Sequence, residues 1–212
     1  YCLTEPGSGS DAAALKTRAA PAGGNGSDYV LNGTKQFISG AGGNDLYVVM
    51  ARTGEDGPKG VSTFVVEKDT PGLSFGNDER KMGWHMQETR QVVFEDCKVP
   101  AENLLSGEGA GFKIAMAGLD GGRLNIAACS LGGAQAAHEK ALAYAGERKA
   151  FGKTLDQFQA LQFKLADMET ELSAARLLLY AAASRLDRKT QDASKWSAMA
   201  KRFVTDAGFE IA

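Results

Sequence analysis

Within the first eleven residues, YCLTEPGSGSD, four short hydrogen-bonding side chains (Thr4, Ser8, Ser10 and Asp11) surround Gly7 and Gly9. Pro6 fixes the approach to this bend, and the two glycines let the backbone come close to something flat or anionic. Backbone N–H groups beside serine hydroxyls suit a pyrophosphate or an amide-rich cofactor, although an ordinary surface turn has the same composition. The run from Gly7 to Ala12 also fits the dinucleotide fingerprint G-x-G-x-x-A. That fingerprint needs a buried strand leading into its first glycine and a helix after it. Thr4-Glu5-Pro6 intervenes and Pro21 follows too soon for the helix, so a Rossmann fold is rejected.

Three later clusters carry chemistry. Phe37-Ile38-Ser39 puts a ring and a hydroxyl two residues apart, on one side of a strand. A flavin wants that pairing, an apolar surface for its tricycle and a donor for its polar edge, and a routine barrel strand is the alternative. Asp120-Gly121-Gly122-Arg123 lies inside a helical pattern that also contains Gly118, Gly132 and Gly133. Each glycine there costs about 0.5–1 kcal/mol against alanine, and such violations gather where backbones or ligands approach closely. The Asp120–Arg123 turn is therefore a ligand-site candidate, with tight helix packing as its rival and as the expected role of Gly132 and Gly133. Finally, Arg148 suits a pyrophosphate, Phe151 offers a face to adenine and Gln159 a hydrogen-bonding amide. The bland reading of Glu147-Arg148-Lys149 is a solvated helix end.

The elements that must position these groups change character midway. The first hundred residues read as β. Tyr29 to Thr34 forms a short strand with a hairpin turn at Asn32-Gly33, and further strands span Leu46–Ala51, Val61–Val66, Leu73–Phe75 and Gln91–Phe94. Short strands between turn residues predict a sandwich or barrel. From Gly111 the period is helical, and the boundary falls between Pro100 and Gly107, with GEGAGF (107–112) as a flexible approach to a helix over about 110–148. Phe158, Leu161, Leu165, Met168, Leu172, Ala175, Leu179, Ala182 and Leu186 then recur at alternating spacings of three and four, a long packing seam. A shorter helix should bury Trp196, Met199, Phe203 and Ala207, and Trp84 is expected in the core beneath a turn.

Bulk properties narrow the classes. The 212 residues are 43% hydrophobic and 24% charged with a net charge of −2, ordinary for a globular chain and unsuited to global attraction of nucleic acid or anionic membrane. No stretch approaches the roughly 18 uninterrupted apolar residues of a spanning helix, and no secretory or transit segment shows at the start. Cys2, Cys97 and Cys129 are too few and scattered for a disulfide framework or a cysteine-pair metal motif. With only His85 and His138, a histidine metal site is not expected. Tyr1 opens inside a motif and FEIA ends in helical register, so an internal fragment of a longer protein is expected.

The order and content of these segments resemble the acyl-CoA dehydrogenase family over the whole chain. YCLTEPGSGSD resembles its flavin-binding signature, KQFISGAGGNDLYVVMAR its next flavin-contacting strand, and LDGGR and RKAFGKTLDQFQALQ follow in the family's order. GLSFG, KMGW and VVFEDCKVP are most similar to the isobutyryl-CoA branch, from which His85 and Met86 depart. The resemblance implies an α+β chain: an antiparallel β-barrel or sandwich domain over 1–103, then an incomplete antiparallel helical bundle over 104–212. It implies FAD held by Tyr1, Cys2, Leu3, Thr4, Gly9, Ser10, Phe37 (often tryptophan in relatives), Ile38 and Ser39. Arg148, Phe151 and Gln159 would reach a neighbouring subunit's flavin, and Ser10 with Asp120, Gly121, Gly122 and Arg123 would meet the acyl-CoA.

The implied reaction is α,β-dehydrogenation of a short, branched acyl thioester, with electrons passed to an electron-transferring flavoprotein. A homotetramer or dimer of dimers is implied, in the bacterial cytoplasm or mitochondrial matrix. The family's base, a glutamate beyond the last helix seen here, has no match in the chain. The minority position just before the arginine is Gly122, so no catalytic base is expected within these residues. An acyl-CoA oxidase and a non-catalytic flavin-binding or assembly module are the competing functions.

Overall fold

The computed structural model describes residues 1–22 and 27–212, and its contacts divide the chain into two compact units, Tyr1–Met116 and Ala117–Ala212. In the first, alternation of inward and outward side chains builds seven strands: β1 (Arg18–Ala22), β2 (Asp28–Ser39), β3 (Leu46–Arg52), β4 (Val61–Glu67), β5 (Leu73–Phe75), β6 (Thr89–Pro100) and β7 (Leu104–Leu105). They form one sheet in the order β5-β6-β2-β1-β3-β4-β7. All pairings are antiparallel except β1 with β3, joined in parallel at Arg18 and Arg52. Pro21 removes a donor but does not end β1, which pairs Pro21 with Tyr29.

The sheet curls around one core. Tyr29 on β2 meets Phe64 on β4 with ring centroids 4.9 Å apart, and Tyr47 on β3 meets Phe75 on β5 at 5.3 Å. Those strands are not neighbours in the sheet, so the contacts are made across a barrel-like interior. Tyr47, Val49 and Ala51 face that interior, while Val48 and Met50, on the other side of β3, pack with Leu3, Leu15, Val61, Phe112 and Ala115. The middle strands are thereby covered on both faces.

Two sequence expectations fail here. Asn32-Gly33 is no hairpin: β2 runs straight through it, with a register shift between Leu31 and Gly33 against β6. Asn32 accepts from the Asp96 N–H at 2.8 Å and donates to its carboxylate at 3.1 Å, which ties the bulge to the partner strand. Gly33, at φ 150°, is required because a Cβ would sit 2.5 Å from Thr17 Oγ1. The 107–112 approach is anchored, not flexible. The Gly109 N–H donates to Ser62 Oγ at 3.0 Å, and Tyr29 donates to Glu108 at 2.7 Å. A Cβ on Gly111 would lie 2.4 Å from the Ser62 carbonyl carbon, so only glycine lets the helix begin there.

That helix, α1 (Gly111–Glu147), is followed by a small hairpin of β8 (Lys149–Ala150) and β9 (Lys153–Thr154), then α2 (Gln159–Asp187) and α3 (Ala193–Ile211). Leu124, Ala127, Leu131 and Ala134 of α1 repeat at three and four and pack with Leu172, Ala175, Leu179 and Ala182 of α2 and Ala200, Val204 and Ile211 of α3. The expected α2 seam is fully buried only from Leu172 to Ala182, and Phe158 caps the helix from outside it. On α3 the buried face is Ala193, Ser197, Ala200, Val204, Ala207, Gly208 and Ile211. Met199 and Phe203 are about two-fifths exposed, so the buried stripe lies beside the expected one and small residues form it. Gly208 fits against Ser130, whose hydroxyl would be 2.2 Å from an added Cβ. The same substitution at Gly132 or Gly133 meets nothing within 4 Å, so neither serves helix packing among the described residues.

Candidate functional site

The opening segment folds as a partial extra strand. Cys2 bridges Val49 in parallel: its N–H donates to Val48 O at 2.7 Å, and its carbonyl accepts from Met50 at 3.1 Å. Buried Cys2 and Leu3 are therefore supports, able to offer a cofactor main chain alone. Tyr1 is tied through its hydroxyl to Ala115 O at 2.9 Å, and burial pushes its phenol above the ordinary value. Glu5 and Ser8 then close a tight turn around Pro6-Gly7 with paired backbone bonds of 2.9 and 3.1 Å. Ser8 is buried and donates to Asp11 O at 2.6 Å, so it builds the bend and is closed to a ligand. Gly7 and Gly9 do not adopt positive φ, and an added Cβ at either meets nothing within 4 Å. Their value is empty space beside the backbone, next to exposed Ser10 and half-buried Thr4.

The Phe37 strand lies directly against this segment. Gln36 donates its backbone N–H to Thr4 O at 2.8 Å. A second register shift, between Lys35 and Ile38, bulges β2 at that point. Phe37 sits at φ 57° with 62% of its surface exposed, while Ile38 is buried and Ser39 faces out. A bulky residue in the left-handed region costs about 1–3 kcal/mol, and here that strain holds an aromatic ring in the open. Half-buried Thr4 thus lies beside the strand that carries exposed Phe37 and Ser39. A cleft of about 1140 Å³ begins one residue further on, lined by Gly40, Gly43, Asn44 and residues 84–88. Trp84, expected in the core, is 60% exposed there at φ 58°. His85 is exposed and its Nε2 bonds Lys81 O at 2.8 Å.

In the helical unit, Asp120 and Arg123 are one helical turn apart, with Arg123 Nη1 2.6 Å from Asp120 Oδ1. Gly121 lines a groove of about 370 Å³ with Leu124, Asn125, Ala128 and residues of α2. Gly122 is exposed. Phe151-Gly152 forms the two-residue loop of the β8–β9 hairpin with φ of 51° and 82°. Such loops need positive φ at both positions and favour asparagine first. Phenylalanine there pays strain to project a ring that is 98% exposed. The Arg148 carbonyl accepts from Leu155 at 2.9 Å, Arg148 is exposed, and Gln159 opens α2.

Two features escaped sequence reasoning. Lys35 is fully buried, 2.8 Å from Glu5 Oε1 and 3.1 Å from Leu3 O. Glu5 also accepts from the N–H groups of Lys16 at 2.6 Å and Thr17 at 2.9 Å. Burial pushes the Glu5 carboxyl up, but the Lys35 charge and these hydrogen bonds outweigh it and hold the group below the usual carboxylate range. A lysine in the inward register of a strand was the available signal. The other feature is a link from Gln91 Nε2 to Gln36 Oε1 (2.6 Å) and from Gln36 Nε2 to Glu79 (2.7 Å), which no local pattern announces. Among the described residues there is no cluster of potential metal ligands and no helix long and apolar enough to cross a membrane.

Residues 1–97 match the acyl-CoA dehydrogenase middle domain, and residues 109–212 the acyl-CoA dehydrogenase C-terminal domain. Over all of its length the chain is 55% identical to mitochondrial isobutyryl-CoA dehydrogenase of Dictyostelium discoideum, covering 50% of that protein. The solved butyryl-CoA dehydrogenase of Megasphaera elsdenii superposes with a TM-score of 0.95 at 44% identity, over 99% of this chain and 54% of that one. A chain from a structure described as the electron transferring flavoprotein of Acidaminococcus fermentans gives 0.94 at 47% identity, over 99% and 55%. The chain spans about half the length of the curated relatives it matches.

Proposed function

Because the chain belongs to the acyl-CoA dehydrogenase family, carrying its middle and C-terminal domains, we propose that the whole protein is an FAD-dependent dehydrogenase of a short, branched acyl-CoA such as isobutyryl-CoA. The domains divide at 103/104 in this proposal. The observation that carries it is the 2.8 Å hydrogen bond between Gln36 N–H and Thr4 O, which lays the opening bend beside the strained, outward Phe37 ring. An exposed aromatic face, two hydroxyls and glycine-lined empty space fit a flat ring system with a polar edge.

The bound flavin supplies hydride acceptance from the β-carbon. This chain's residues bind and orient. Thr4 and Ser39 hold the polar edge of the ring through their hydroxyls, Phe37 packs on its apolar surface, and Gly9 and Ser10 pass the pantetheine arm. Arg123 holds an anionic group of the acyl-CoA and Asp120 accepts from its amides. Arg148, Phe151 and Gln159 serve the nucleotide end of a cofactor in a neighbouring subunit, which makes a homotetramer part of the site. No residue of 1–212 is assigned as the base for the α-proton, since Asp120 is paired and Gly122 lacks a side chain. Electrons leave to an electron-transferring flavoprotein, and the setting is the mitochondrial matrix or the bacterial cytoplasm.

Anaerobic titration of the whole protein with a panel of acyl-CoA esters tests this. Isobutyryl-CoA should bleach the visible flavin band most effectively, without oxygen uptake in aerobic turnover. A colourless protein, or a flavin no acyl-CoA reduces, would overturn the proposal, and oxygen consumption matching turnover would identify an oxidase.

A further inference from the structure

Ser194 stands at the second position of α3, 74 residues from Asp120 in sequence, and donates its hydroxyl to Asp120 Oδ2. Arg123 Nη1 takes the other oxygen, Oδ1, at 2.6 Å. The carboxylate is thereby pinned at both ends, with its side chain 14% exposed. The backbone that presents Ser194 is itself clamped. Asp192, just before α3, accepts from Thr190 Oγ1 at 2.7 Å and from Trp196 Nε1 at 2.9 Å, and the Arg185 guanidinium stacks on the Trp196 ring at 4.0 Å. Ala193 N–H donates to Thr190 O at 3.1 Å. The α2–α3 corner thus fixes where the serine hydroxyl points.

We propose that Ser194 is a positioning residue that keeps Asp120 from engaging Arg123 through both carboxylate oxygens, leaving the guanidinium donors free for the acyl-CoA. An unrestrained Asp at this spacing can rotate to form the two-point fork that arginine and carboxylate geometry favours. With the carboxylate turned so that Oδ2 points to Ser194, Arg123 engages it through one nitrogen, and its Nε and Nη2 donate to no group of the helical unit. The proposal rests on Asp120 and Arg123 being the ligand turn of the dehydrogenase.

Steady-state kinetics of the flavin-loaded whole protein test it. Ser194→Ala should raise KM for the acyl-CoA roughly 2- to 12-fold, the net scale of one ordinary hydrogen bond, with kcat, flavin content and Tm little changed. Ser194→Thr, which keeps the hydroxyl, should restore KM. In an Asp120→Asn background the serine substitution should have no further effect, because the pair acts as a unit. If Asp120→Asn alters KM while Ser194→Ala does not, the positioning role is wrong and the ligand turn stands. If neither Asp120→Asn nor Arg123→Lys alters KM, the ligand-turn assignment fails and the proposal with it. A fall in flavin content or Tm that accounts for the kinetic loss would also overturn it, by showing a structural role alone.

Discussion

At the scale of single residues, Lys35 and Glu5 decide whether the opening bend keeps its shape. The pair is buried, and Glu5 carries two backbone N–H groups that fix the chain at Lys16 and Thr17. Lys35→Met should cost about 3–5 kcal/mol in chemical denaturation of the whole protein, because it strands a buried carboxylate. Joint substitution Lys35→Met with Glu5→Gln should recover much of that loss. Since Glu5 binds its proton less tightly folded than unfolded, its contribution is complete above the unfolded value of about 4.3. It disappears as pH falls through the lower folded value. An acid-unfolding midpoint that moves downward in Glu5→Gln would contradict this. Phe37 illustrates the opposite use of a residue. Its ring stabilises nothing in the barrel interior, yet the strand bulges and strains to display it.

At the scale of elements, glycine explains where α1 begins but leaves its middle unexplained within one chain. Gly111 is pressed against the Ser62 backbone, so Gly111→Ala should destabilise by about 1–3 kcal/mol, read as a lower Tm or denaturation midpoint. Gly133 has open space where its Cβ would be, so Gly133→Ala should gain about 0.5–1 kcal/mol from helix propensity. A loss at Gly133 would mean another subunit occupies that space in the assembly. Strand content was legible in β3, β4 and β5, whose apolar runs stop at turn residues. The Asn32-Gly33 hairpin was misread because the same dipeptide serves a bulge when the partner strand supplies Asp96. The α3 stripe was misplaced because large apolar residues were expected inside. The bundle is close enough there for Ser197, Ala200 and Gly208, and too close for Met199 and Phe203.

At the scale of the whole molecule, the two groups of residues proposed to contact cofactor belong to different units. Thr4, Phe37 and Ser39 belong to the β unit, and Arg148, Phe151 and Gln159 to the helical one. If the second group serves a neighbour's flavin, FAD retention should depend on protein concentration. Dilution below the assembly constant should release flavin, measured as recovered flavin fluorescence, and Phe151→Ala should shift that release to higher protein concentration. Flavin loss independent of concentration would assign the site to a single subunit.

The sequence alone determined the change from two-residue to helical period near residue 100, the motif order and the family. Those follow from local spacing, which survives whatever the chain later touches. Tertiary structure decided the rest: that Lys35 must be neutralised by Glu5, that Ser8 builds the bend, that Phe37 faces outward, and that Ser194 reaches Asp120. The Lys35–Glu5 and Ser194–Asp120 contacts join segments 30 and 74 residues apart, a distance over which neither side chain's type constrains the other until the fold closes.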